Sequence, residues 1–510
     1  RPVVVVPNSI VWKWYRDIQR CLPDYRVIVV GSERYYSKRK KRMAARNDTP
    51  QQRAEKWTRF QAGEADVVLM TYSALSRTKI DPAFLEQYVS QTIAIRRSIA
   101  MAVSRDLKPG ARLTERREAE IKARVSKWLS EVLSAPRSWK YDPGIDWHSL
   151  GIDLLMVDEA QNFKNLFHSA RSGEKKDTKR AWALDFRCAS VRARSGGAGV
   201  ILLSATPAKN DPVEFYNLLH YLHPEVWHQV AVDNHEAFLN RFGDFAKKRI
   251  PDASGSKLVE REVMTRFKNL DELRSVVYRW AEFKVAEDVG LKIPEAVRHT
   301  HYVNLSDIQL ASLKELFGKL ADVEEKLENV YTRAGGKDDK QTTDIIRALQ
   351  EKKRGLNLKV YLTNLHPQLP GIGGDKAAIE AADLGDAPKL HACAEEIMRT
   401  SQTVCNEDGE DCLDCGHIIF VENTAVHTWM RKILVQHGIS ESRIAVLNAK
   451  EAGDLEQRQL ISEGFNGVGA PGDEDHEPPK YDVVIANNIA YEGMDLQRRT
   501  CAIHHLDVPW

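Results

Sequence analysis

The sequence predicts an α/β protein built from two parallel-sheet lobes, with a helical insertion in the first lobe and a helical bridge between the two. Three observations predict it. Short, uninterrupted apolar runs recur along the chain, as in strands covered on both faces. Helical stretches separate these runs, and strand–helix alternation means parallel pairing. The alternation stops in a long charged, helical middle and resumes near residue 388.

The elements follow in order. Residues 3–6 (VVVV) form a buried strand that Pro7-Asn8-Ser9 stops, and Asn8 or Ser9 can cap the next helix. Further strands are expected at 25–30 (YRVIVV), 65–71 (ADVVLMT), 152–157 and 199–203 (GVILL). Between the third and fourth, residues 82–140 are charged and helical, with Ile121, Val125, Trp128, Leu129 and Val132 on one face. Residues 230–385 read as mostly helical. There Ser306-Asp307-Ile308-Gln309 has the capping-box form and opens a helix through about 331. The segment GIGGDKAAIEAADLGDAP reads as a linker or loop. In the second lobe, helices at 388–400, 425–436 and 454–464 alternate with strands at 417–423, 443–448 and 482–487, before a last apolar segment at 501–508. The expected domains are 1–229, 230–385 and 386–510.

A chain of 510 residues has room for two to four domains. With 74 basic and 72 acidic residues the net charge is +2, so nucleic-acid contacts must be local. Seven cysteines at this length do not make a secreted disulfide scaffold. No signal peptide or apolar run of membrane-spanning length occurs, so a cytoplasmic protein with no membrane partner is expected. The chain opens on Arg1 and enters a strand at once, and it stops at Trp510 just after an apolar stretch. It is therefore expected to be a piece of a larger protein.

The chemistry centres on Asp158-Glu159-Ala160-Gln161, directly after a buried strand. Ligands bind at the carboxyl ends of strands in such sheets. Two adjacent carboxylates there can divide labour: Asp158 holds Mg²⁺ through its waters, and Glu159 orients and deprotonates an attacking water. A solvated Asp-Glu pair at a strand end is the plainer alternative. After the next strand stands Ser204-Ala205-Thr206-Pro207, whose hydroxyls can bridge from the neighbouring strand end.

The order of these segments resembles the superfamily-two helicase ATPases, and within them the Swi/Snf-type group. VVVVPNSIVWKWYRDIQRCLPDYRVIVVG resembles motif Ia and VVLMTYSAL motif Ib. DEAQNFKN resembles the D-E-A-H box with the K-N typical of the group. LLSATPAKNDPVEFYNLLHYLHPEVW resembles motif III with its tail, including Asn210. LKIPEAVRHTHYVNLSDIQLASLKEL looks like the bridge, HIIFVEN motif IV and IANNIAYEGMDLQ motif V. A looser similarity, through the 38–75 region and DEAQNFKN, runs to helicase modules of phage and plasmid proteins joined to adenine-methylase domains.

The resemblance implies two RecA-like lobes, ATP and Mg²⁺ as cofactors, and a DNA-dependent ATPase that translocates on or remodels duplex DNA. It assigns Asp158, Glu159 and Gln161 to catalysis and Ser204, Ala205 and Thr206 to coupling. It gives Gly493 and Asp495 to the nucleotide, Asp495 at the ribose. Pro7, Asn8, Ser9, Thr71, Tyr72 and Asn488 are assigned to phosphate contacts that specify no sequence. Gln161 stands where the group more usually has His; its amide can donate to a phosphate but cannot titrate. Tyr491 and Glu492 depart from the small residues usual in motif V. The Walker A pattern G-x-x-x-x-G-K-[ST] does not occur in these residues, and it is expected upstream of Val3, with the arginine finger of motif VI expected beyond Trp510. The first lobe is thus read without its P-loop strand, the second as stopping before motif VI, and the fragment by itself as a poor ATPase. The alternative function is a catalytically inactive lobe pair that binds DNA or protein. A place in a restriction, antirestriction or mobile-element system, with a DNA methylase fused or partnered, follows only from the phage-like resemblance.

Two local signals remain. Lys38-Arg39-Lys40-Lys41-Arg42 can neutralise phosphates or form a solvated charge run on a helix. Cys405, Cys412 and Cys415, with His417 close by, have spacing that suits zinc; a reduced loop with incidental thiols is the alternative.

Overall fold

A computed structural model describes residues 1–37, 42–96, 141–167, 179–208, 211–251, 258–293, 295–334, 340–373, 375–405, 411–453, 455–468, 477–491 and 494–507. The chain divides into two units, Arg1–Pro294 and Glu295–Trp510.

In the first unit, β1 (Pro2–Val6) and β2 (Val27–Val30) are followed by an antiparallel hairpin of β3 (Glu33–Ser37) and β4 (Arg42–Arg46). Then come β5 (Val67–Thr71), β6 (Leu154–Val157) and β7 (Val200–Leu202). The main sheet has the order β2-β5-β1-β6-β7, with every pairing parallel. The continuous apolar runs are explained by alternation. Val3, Val5, Val68 and Met70 enter the large core on one face, and Val4, Val6, Val67 and Leu69 enter a second core on the other. The helix Val11–Cys21 belongs to the smaller core through Val11, Trp14 and Ile18.

Several expectations are corrected. The expected capping by Asn8 or Ser9 is not made: Ile10 is the N-cap and has no side-chain bond. Of the KRKKR run only Arg42 is described, and it opens β4 paired with Ser37 rather than lying on a helix; Lys38 to Lys41 lie outside the described residues. Most of the expected 82–140 insertion lies outside them too, including all five residues of its proposed apolar face; the helix Pro82–Gln91 is described. Residues 243–251 and 258–267, expected within a mostly helical stretch, pair as the antiparallel β8 (Gly243–Pro251) and β9 (Leu258–Phe267). Their register sets Lys247 opposite Glu262, and opposite charges across a ladder favour pairing that a helical reading cannot anticipate. Val230, Phe238, Phe242 and Val276 belong to the first unit's core.

The second unit begins with two long helices, Asp307–Ala334 and Lys340–Leu365, whose Leu320, Val323, Leu327 and Leu356 form one cluster. The expected capping box is present: Gln309 N donates to Ser306 Oγ and Ser306 N to Gln309 Oε1. The Gly- and Ala-rich stretch read as a linker is ordered into the core through Ile379, Leu384 and Ala387. A small antiparallel pair, β10 (Thr403–Cys405) and β11 (Asp411–Leu413), precedes the lobe's sheet. That sheet contains β12 (Gly416–Phe420), β13 (Ile444–Leu447), β14 (Val483–Ala486) and β15 (Thr500–His505), in the parallel order β13-β14-β12-β15. Alternate residues again feed two cores: Ile419 and Ile485 one, Ile418 and Val484 the other. Both units are thus parallel α/β lobes, the fold class expected. Among the described residues, no helix is long and apolar enough to cross a membrane.

Candidate active site

The strand order places the carboxyl ends of β5, β1, β6 and β7 side by side. Each delivers one expected segment: Thr71-Tyr72, Pro7-Asn8-Ser9, Asp158-Glu159 and Ser204-Ala205-Thr206. The backbone stitches three of these ends together. Asp158 N donates to Val5 O at 2.9 Å, and Ala160 N to Leu203 O at 2.8 Å.

Asp158 is held on both oxygens. Its Oδ1 accepts from Glu159 N at 2.9 Å, and its Oδ2 from Trp14 Nε1 at 2.7 Å. Each oxygen keeps lone-pair capacity after one such bond. That suits Mg²⁺, which keeps several waters and uses one or two carboxylates. Sequence reasoning missed Trp14, although it lies inside the segment that resembles motif Ia.

Glu159 adopts the left-handed conformation, φ 49° and ψ 48°. For a residue with a Cβ this costs about 1 kcal/mol or more, so neighbours must hold it. Tyr72 does so from β5's end: its hydroxyl donates to the Asp158 carbonyl and lies 3.1 Å from the Glu159 carbonyl. The Tyr72 ring stands edge-on to Phe163 at 4.9 Å. Gln161 Nε2 donates to Glu159 Oε2. Ser204 Oγ donates to Gln161 Oε1 at 2.7 Å, and Thr206 N donates to Ser204 Oγ at 3.1 Å. A continuous polar chain therefore runs from Glu159 through Gln161 to the end of β7.

The helix Val213–Leu222 anchors the loop after Glu159 from behind. Asn217 Nδ2 donates to the Lys164 and Phe167 carbonyls at 2.7 and 2.9 Å, and Tyr221 OH to Phe163 O at 2.7 Å. The half-buried Lys164 pairs with the buried Glu214 at 2.9 Å.

The residues expected to meet nucleic acid divide. Asn8 is exposed; its side chain donates to Ser73 Oγ at 3.1 Å and accepts from Ser73 N at 3.3 Å. Ser9 is half-buried, while Pro7 and Thr71 are buried. Thr71 Oγ1 lies 3.1 Å from Ser73 Oγ. The side chain of Thr71 thus faces inward, and the Tyr72 hydroxyl is taken up by the Asp158–Glu159 backbone. Ser73, not singled out from the sequence, is the exposed hydroxyl at this end.

In the second unit, Asn488 is exposed and its N donates to Glu422 Oε2 at 3.2 Å. The Asp495 carbonyl accepts from Ser462 Oγ and Asn466 Nδ2. Gly493 and Asn210 lie outside the described residues. Asp507, also not singled out, accepts from Tyr361 OH and from Glu422 N. The expected zinc set comes together only in part. Cys415 and His417 meet Cys501 from β15, while Cys405 and Cys412 sit on the β10–β11 hairpin outside that group.

The model of the probable helicase domain family matches residues 27–285, just over half of the chain. Defense against restriction protein B of Escherichia phage P1 is 28% identical over 44% of this chain and 10% of its own length. The TATA-binding protein-associated factor mot1 of Schizosaccharomyces pombe is 24% identical over 51% of this chain and 12% of its own. The chain thus spans 10–12% of the length of these two relatives. A solved structure, the Sulfolobus solfataricus SWI2/SNF2 ATPase core in complex with dsDNA, aligns over 99% of this chain and 76% of that one, with 14% identity and a TM-score of 0.27. The fold assignment rests on the strand order above and not on that superposition. The chain belongs to the probable helicase domain family.

Proposed function

We propose that this chain carries the water-activating part of an ATP-hydrolysing site, and that hydrolysis is coupled to movement on, or remodelling of, duplex DNA. The polar chain Glu159–Gln161–Ser204 is the observation that carries the reading. It ties a carboxylate in a strained backbone to the neighbouring strand end, and a solvated Asp-Glu pair has no need of such a tie. Trp14 and the Glu159 amide hold the Asp158 carboxylate, which would bind a hydrated Mg²⁺. Mg²⁺, when bound, supplies charge that offsets the developing negative charge on the phosphates. Glu159 accepts the proton of the attacking water, while Gln161 fixes its carboxylate. The exposed polar groups of Asn8 and Ser73 suit DNA phosphate contacts. The similarity to a phage protein named for defense against restriction supports a setting in mobile elements.

The test is Glu159→Gln in the full-length protein. DNA-stimulated ATP hydrolysis should fall by at least about 100-fold, the scale of general-base loss, with ATP binding retained. Undiminished turnover would remove Glu159 from the role.

A further inference from the structure

Outside the candidate active site, the second unit gathers two cysteine sulfurs and a buried imidazole. Cys415 precedes β12 and His417 lies within it, two residues apart, which sets both side chains on one face. Cys501 arrives from β15. The β12–β15 register shifts between Gly416 and His417, so that Gly416 pairs with Thr500, His417 pairs with Ala502, and Cys501 is left over between them. Bulges of this kind re-aim side chains beside functional sites. Gly416 is required at the kink, since a Cβ there would stand 2.5 Å from the Phe465 ring.

His417 is fully buried, and its Nε2 lies 3.6 Å from Cys415 Sγ and 3.5 Å from Cys501 Sγ. Its Nδ1 meets His504 Nε2 at 3.0 Å. Ser401 Oγ contacts Nε2 and lies 3.8 Å from Cys415 Sγ; Cys501 Sγ also faces Gly416 O at 3.3 Å. The structure joins the two sulfurs as a disulfide, with Cα atoms 6.0 Å apart. In this state Ser401 Oγ is the hydrogen-bond partner of Nε2. Once the pair is reduced, both thiolates and the Nε2 that faces them can share one metal ion. Tetrahedral zinc with usual Zn–S and Zn–N bonds places sulfur and nitrogen about 3.6 Å apart, which matches both distances. The contact from His417 Nδ1 to His504 is the outer-shell bond that orients a ligating imidazole.

We propose that the reduced chain binds a zinc ion through Cys415, His417 and Cys501, with the fourth position on the Ser401 side. Reduction of the pair by a dithiol takes up two electrons and two protons, and zinc then displaces the two thiol protons. The ion clamps β15 to β12 at the bulge. Cys405 and Cys412, the other half of the spacing visible in the sequence, are not ligands.

The test is a Co²⁺ titration of the full chain under dithiol reductant, together with elemental analysis for zinc. One ion per chain should bind, with thiolate-to-cobalt charge-transfer absorption. That absorption should be lost in C501S and kept in a C405S/C412S double variant. A chelator should lower the melting temperature of the wild type. Reduced wild-type chain that takes up no Co²⁺, or a thiolate band that depends on Cys405 or Cys412, would overturn the assignment. The wild-type titration and the double variant stand even if C501S fails to fold.

Discussion

Tyr72→Phe separates two roles for one side chain. The variant keeps the ring against Phe163 and removes only the hydroxyl that reaches the Asp158 and Glu159 carbonyls. Glu159 sits at φ 49°, a conformation costing about 1 kcal/mol or more. A hydrogen bond to a half-buried carbonyl contributes roughly 1 kcal/mol net. The lost restraint is therefore as large as the strain it holds, and Glu159 gains access to the ordinary helical or extended region. Since about 1.4 kcal/mol is a tenfold change in rate, kcat for ATP should fall about 5-fold, with KM for ATP unchanged. Steady-state hydrolysis at saturating DNA is the assay, alongside urea unfolding. A Tyr72 that instead contacts a phosphate would give another pattern. The apparent DNA affinity would fall alike for all sequences, with kcat at saturating DNA unchanged. Unchanged kcat with a weakened DNA affinity would refute the positioning role.

Three further outcomes are expected. Asp482 is buried and accepts from Arg443, Arg499 and Leu413 N, so Asp482→Asn strands two guanidiniums and should cost about 3–5 kcal/mol in urea unfolding. Gly31→Ala, at φ +103° and with its new Cβ 2.0 Å from Thr71 Oγ1, should destabilise the first unit by about 2 kcal/mol or more, read by the same method. The Arg26 guanidinium holds Asp66 down from the ordinary 3.8 to about 2. A depressed carboxylate stabilises the fold above its unfolded value and stops doing so as pH falls through its folded one. The melting-temperature advantage of wild type over Asp66→Asn should therefore be present above pH 4, vanish as pH approaches 2, and shrink with added salt, because the pair is exposed.

Much of the fold follows from apolar runs that are local in the chain. A strand covered on both faces is apolar at every position, so VVVV, VIVV and VVLM announce themselves without knowledge of their neighbours. The Ser306–Gln309 cap is local for the same reason: both partners lie within one turn. The order of motifs named Asp158, Glu159, Gln161 and Ser204, and strand order brought their ends together. The β3–β4 and β8–β9 hairpins were hidden because their stability comes from cross-strand register in charged segments, and register is not a property of either strand alone.

Tertiary structure alone decided which atoms meet. Trp14 and Asp158 are separated by 144 positions in sequence but by 2.7 Å in space. Thr71 was an expected phosphate contact, yet it turns inward because Gly31 leaves the space its hydroxyl fills. Spacing grouped Cys415 with its sequence neighbours Cys405 and Cys412, whereas the sheet pairs it with Cys501 across β12 and β15. Local patterning determines what each segment becomes, since propensity and burial act within a few residues. The partners of each side chain are set by strand order and register, and those emerge only when the whole lobe closes.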